Sequence, residues 1–219
     1  QNKIETKKTS LIYDKLFMCR IYNFLDSFII LFKSAIEQFS KQNPDNFWNF
    51  FEKYSSSNFE TVQFLLLSGL SELPQEYADR ILKYVIDKPE LLKIGYSSDS
   101  CYLPKLLINK YSSNCSDEIL EKLLSLILNR REELEYKYFF EIKTKKEYKN
   151  YSPIDFTKGA FLSAFDQQRL KTNILGYKTL QELQRKFGKH IHFKEPSGIE
   201  GGIETSPLPR SATEKMTNE

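Results

Sequence analysis

The sequence predicts an all-α chain of stacked antiparallel helical pairs, either a HEAT- or TPR-like solenoid or an irregular bundle, followed by an extended C-terminal segment. Three observations lead there. Apolar residues recur at three- and four-residue spacing along most of the chain. Short turns built from Asn, Pro, Ser and Gly separate these stretches, which makes sequence neighbours antiparallel. No convincing alternation of apolar and polar residues marks a strand. No fixed repeat length emerges, so the solenoid and the bundle both remain open.

The first helix is expected from about Ser10 to Lys41, after a frayed polar lead over residues 1–9. Phe17, Ile21, Phe24, Phe28, Leu31 and Ala35 recur at alternating spacings of four and three. Leu25, Ile29, Phe32 and Ile36 form a second stripe beside them. Two adjacent stripes predict a helix contacted from two sides. Asn43-Pro44 stops this helix, and Pro44 suits the first position of the next, with Asn43 as its cap. That helix carries Phe47, Trp48, Phe50, Phe51 and Tyr54 before the turn Ser55-Ser56-Ser57-Asn58. Trp48 is read as core beside Phe47 and Phe51 in preference to an interface anchor.

From Phe59 to Leu73, Val62, Leu65, Leu66, Gly69, Leu70 and Leu73 share a face. Glycine inside a helix costs about 1 kcal/mol relative to Ala, so Gly69 predicts close approach of a neighbour. Pro74 opens a helix that buries Tyr77, Ile81, Leu82, Val85 and Ile86 and ends at Lys88-Pro89. Residues 94–101 read as a loop and Leu103 to Tyr111 as a short helix. Ser116 caps another, with Asp117 and Glu118 in its first turn and Leu120, Leu123, Leu124 and Ile127 inward. Residues 129–152 read as a helix end and a solvated connector. Its Lys143, Lys145, Lys146 and Lys149 are offset by Glu, so phosphate contact is the weaker reading. Helices follow at Phe156–Phe165 and Asn173–Phe187, the latter with Tyr177, Leu180, Leu183 and Phe187 on one face and Gly188 as terminator. The helical domain thus spans 10–187, and 188–219 is an extended Gly- and Pro-containing segment leading into a truncated helix.

With 219 residues, the chain suits one large helical domain or two small ones and is long enough to bury a core. Its net charge is only +3, so a nucleic-acid partner is neither required nor excluded. Cys19, Cys101 and Cys115 are irregularly spaced and include no CxxC pair, which predicts reduced thiols in a cytosolic protein. The apolar run Phe28–Phe32 is far below the ~20 residues that span a bilayer, so no membrane is expected.

The motifs of chemistry are missing from the sequence. No GxxxxGK[ST] or GxGxxG occurs, and the Gly198, Gly201, Gly202 cluster reads as loop. His190 and His192 form an HxH pair with no further ligands beside it, short of the three or four a metal site needs. Ser100 lies between Asp99 and Cys101 without a GxSxG elbow or a partner His. The expectation is a chain without a catalytic centre or cofactor. Its loops then carry recognition, with Tyr96, Asp99 and Tyr102 of one loop and Arg130 and Arg131 of a basic turn as the candidate partner-binding residues.

One stretch is more specific. Gly176 to Phe187 (GYKTLQELQRKF) is followed by Gly201-Gly202, Ser206-Pro207, Ala212 and Lys215-Met216, and preceded by Phe47-Trp48 and Thr61 to Leu67 (TVQFLLL). Together these resemble the C-terminal helical region of large bacterial STAND-type (NACHT-like) NTPases, which include antiviral NTPases of antiphage defence. The resemblance covers most of residues 45–219. It implies a fragment of a longer protein, whose ATP-binding switch lies upstream and whose helical sensor binds a foreign protein ligand such as a phage protein. No catalytic or nucleotide-binding residue of that family maps onto this sequence. A nucleic-acid-binding helical repeat and a structural spacer between domains are the alternatives.

Overall fold

The computed structural model describes residues 24–96, 99–131, 135 and 154–193. They form α1 (Phe24–Gln42), α2 (Pro44–Tyr54), α3 (Glu60–Leu70), α4 (Ala78–Asp87), α5 (Tyr102–Tyr111), α6 (Asp117–Leu128), α7 (Phe156–Ala164), α8 (Gln167–Thr172) and α9 (Ile174–Phe187). Short 3-10 turns cover Gln75–Tyr77, Pro89–Lys93 and Gly188–Ile191. The chain is all-α: among the described residues the only β feature is one isolated bridge, between Tyr96 and Asp99. The odd-numbered helices touch in series, α1 to α3, α3 to α5, α5 to α7 and α7 to α9, while α4 packs on both α5 and α6. Helix length varies from 6 residues in α8 to 19 in α1, so the arrangement is an irregular stack with no uniform repeat.

Gly69 marks a close approach between helices of that stack. A Cβ there would lie 2.4 Å from Cζ of Phe47 and 2.7 Å from Cγ2 of Ile36, both on neighbouring helices. The close approach lets Ser40 of α1 donate a 2.7 Å hydrogen bond to the Gly69 carbonyl. Below it, Phe47, Trp48 and Phe51 of α2 are buried. Trp48 belongs to the core: its Nε1 donates to Glu52 at 2.6 Å, and the Arg80 guanidinium lies 4.0 Å from its ring centroid.

Helix ends are closed by distant side chains. The Tyr111 hydroxyl of α5 lies 2.7 Å from the carbonyls of Leu70 and Leu73 and donates between them, at the end of α3. Lys110 donates to the Ser71 carbonyl. Asn109 donates to the Ala164 carbonyl that ends α7, and the Ser112 hydroxyl accepts from the Asp166 amide beyond it. At the other end of α7, the Glu135 carboxylate accepts from the amides of Asp155 and Thr157. Buried Gln63 joins the turn after α2 to α3, donating to the carbonyls of Ser55 and Ser57, while the Tyr84 hydroxyl donates to its Oε1 at 2.6 Å. Burial pushes the Tyr84 and Tyr111 phenols well above their ordinary value.

Several expectations change. In α1, Ile29, Ile36 and Phe39 are half-buried, but Phe28 (50%), Leu31 (66%) and Ala35 are exposed. Among the described residues α1 packs chiefly on α2 and α3, and neither stripe is covered throughout, since Phe32 of the second is 49% exposed. Tyr54 is 40% exposed rather than core. Asn43 precedes α2 without a side-chain cap, and Ser116 does the same at α6, where Asp79 accepts from the Ser116 amide instead. Pro74 leads into a 3-10 turn before α4. Helix α8 is an addition, capped by Asp166 and buried only through Leu170. Gly188 ends α9 at φ 61° as its position suggests, but the chain then turns back. Ile191 is fully buried, and the Ser163 hydroxyl of α7 donates to its carbonyl. Residues 1–9 and 194–219, and most of the connector, lie outside the described residues.

Gly69→Ala tests the close approach. Helix propensity favours Ala by about 1 kcal/mol, but overpacking against a buried ring costs up to about 3 kcal/mol. A net loss of about 2 kcal/mol is expected in urea unfolding. A neutral or stabilised variant contradicts the packing described for Phe47 and Ile36.

Candidate interaction surfaces

The loop singled out by sequence begins after the 3-10 turn Pro89–Lys93. Tyr96 and Asp99 exchange backbone hydrogen bonds of 2.9 and 3.0 Å, closing a tight turn. Gly95 is needed there, because a Cβ would lie 2.1 Å from the Asp99 carbonyl oxygen. The Asp99 carboxylate then faces back into the fold. One oxygen accepts from the Cys101 amide at 3.1 Å, and the other is 2.5 Å from Nζ of Lys105. Lys105 is 7% exposed, so Asp99 supplies the counter-charge of a buried cation.

The two tyrosines also turn inward. The Tyr96 ring packs edge-on against Phe64 and lies 5.4 Å from the ring of Tyr102. Its phenol is raised, chiefly by burial and against the pull of Lys33. Tyr102 is itself 7% exposed, opens α5, and stacks on Phe193 at 5.9 Å and 16°. The structure thus brings Tyr96, Asp99 and Tyr102 together, but as the plug between α3, α5 and the segment after α9. Buried Tyr102 is no outward contact point, because its ring is spent on packing.

Arg130 and Arg131 follow α6. Arg131 is exposed. The Arg130 guanidinium sits 5.5 Å from the Phe161 ring centroid, and its charge reaches Cys101, whose thiol is raised by burial and pulled back by Ser100, Arg130 and Lys105. Arg130 also lines an open groove of 570 Å³ between the end of α4 and α6. Ile86, Pro89 and Leu126 give that groove apolar walls, and Lys122, Asn129 and Arg130 give it polar ones. Lys122 is already paired with Glu118 one turn earlier.

Sequence reasoning missed two surface features. One is this groove, whose walls come from residues 86 to 130 and share no local pattern. The other is the outward stripe of α1, whose spacing was visible but was assigned to core. Cys101 and Cys115 are buried free thiols; Cys19, His190 and the Lys143–Lys149 run have no described side chains. Among the described residues, no three or more His, Cys, Asp and Glu side chains form a metal-holding group, and no helix is long and apolar enough to cross a membrane.

No family model, curated protein or solved structure matches this chain.

The Asp99–Lys105 pair gives a direct check on the inward loop. Asp99→Ala strands a buried ammonium and is expected to cost about 3 kcal/mol in urea unfolding. Lys105→Met removes the charge but keeps the packed stem, and should cost under about 1 kcal/mol. Equal, small losses in the two variants contradict a buried pair.

Proposed function

We propose that this chain is a non-catalytic protein-recognition module, acting as part of the helical sensor of a STAND-type NTPase. The groove between α4 and α6 carries the reading: apolar walls with a polar rim suit a protein segment that presents apolar side chains. Polar groups elsewhere in the fold support the same view, since Asp99, Lys105 and Asn109 are engaged in holding it together. The partner is a protein ligand, a phage protein if the parent serves antiphage defence, and the rest of the parent chain is the second partner. A sensor of this kind switches its parent only if the ligand prefers one of two states, so the module would change the parent's equilibrium without doing chemistry itself. On the described surface, Arg80, Lys83, Lys122 and Arg169 are each paired with a carboxylate, which lowers the charge those four offer a nucleic acid.

The complete reading frame is expected to encode a GxxxxGK[ST] loop upstream of this chain. In that parent, Leu126→Glu combined with Arg130→Glu should lower ligand-stimulated ATP turnover by about tenfold or more, as for loss of an interface hot spot, with basal turnover unchanged. A frame complete without such a loop removes the NTPase link. Unchanged stimulation in the double variant takes the ligand off the groove.

A further inference from the structure

We propose that residues 188–193 form a releasable latch, hinged at Gly188, that swings off α7 while α9 stays in place. When seated, the latch is held at three points. The Ile191 side chain is fully buried and fills the notch left by Gly159, where a Cβ would lie 3.1 Å from Ile191 Cδ1 and 3.3 Å from Leu183 Cβ. The Ser163 hydroxyl donates to the Ile191 carbonyl at 2.5 Å and accepts from the Phe193 amide at 3.1 Å. One side chain of α7 thus grips the backbone on both sides of His192. The Phe193 ring stacks on Tyr102, and the rings continue through Tyr96 to Phe64 with centroids 5.4 Å apart at each step. The latch closes one end of an aromatic column that reaches α3.

Three features separate this latch from the helices. The first is its hinge. Gly188 sits at φ 61°, and a Cβ there would meet nothing within 4 Å, so glycine's backbone freedom sets the turn and no packing locks it. The second is that release strands no polar group on α7. The Ser163 hydroxyl also lies 2.8 Å from the Ala160 carbonyl of its own helix, so it keeps an acceptor when Ile191 leaves. The Ile191 carbonyl and the Phe193 amide pass to water. The third is that α9 has its own hold: Leu180, Leu183 and Phe187 are buried, the Phe187 ring meets Phe156 edge-on at 5.3 Å, and Lys186 donates to the Ile154 carbonyl. Closing the latch orders six residues for one fully buried side chain, one shared hydroxyl and one ring stack. Segments with so few buried contacts open at the lowest free energy in a fold. Opening bares the Gly159 notch and the face of Tyr102 that Phe193 covers, and leaves Tyr96 on Phe64.

Amide hydrogen exchange of the native 219-residue chain, followed by NMR in low urea, tests this. The Phe193 amide is expected to exchange through an opening that barely responds to urea, with a protection factor about a hundredfold or more below those of Leu180 and Leu183. Ile191→Ser should bring the Phe193 amide to within about threefold of its free-chain rate. In that variant the Leu180 and Leu183 amides should stay protected and the far-UV circular dichroism should not change. Ile174→Ser, at an exposed residue of α9, should leave all three amides as they are in the native chain. If the Phe193 amide follows Leu180 and Leu183 in rate and urea dependence, the segment opens only with the core and the proposal is overturned. Loss of α9 protection in Ile191→Ser overturns it as well, because the segment is then part of what holds α9.

Discussion

Each helix of a packed bundle leaves its last carbonyls without partners inside the helix, and where those carbonyls face a core, something must donate to them. In this chain the last turn of α5 does so for two helices at once. Tyr111 and Lys110 reach the end of α3, and Asn109 reaches the end of α7. These residues follow one another on a single turn, so they project in different directions, and the two neighbours are held on different sides of the same helix. The rest of the stack follows: α1 and α2 build outward from α3, and α9 and the 3-10 turn after it build outward from α7.

This arrangement accounts for where polar side chains lie. Gln63, Tyr84, Tyr111, Asn109, Ser163 and Glu135 all make contacts with backbone groups or with one another that close turns and helix ends. Such contacts are worth little net when made and much more when broken, because the stranded group stays buried.

The helices were legible in the sequence wherever an apolar period ran for three turns or more, and Gly69 and Gly188 announced a close approach and a helix end for local reasons. Three things were not legible. The stripes of α1 were equally apolar, so composition could not say which of their residues pack; that is set by the position of α3. The loop at 94–101 looked exposed because it is polar, yet Asp99 is drawn inward by Lys105, which sequence alone could not show to be buried. The role of Tyr111 rests on carbonyls 38 and 41 residues away, and that of Asn109 on one 55 residues away. Separations of that size leave no trace in local spacing. The groove is invisible for the same reason, being assembled from a 3-10 turn and two helices.

If α5 ties both flanks together, the stack should open as one unit, in contrast to a solenoid whose neighbouring pairs can open separately. Native-state hydrogen exchange in low denaturant measures this directly. The account predicts that the most protected amides of α3, α5 and α7 exchange through a common global opening with the same free energy and the same denaturant dependence. Exchange of α7 and α9 through a separate, lower-energy opening, while α3 and α5 remain protected, would contradict it.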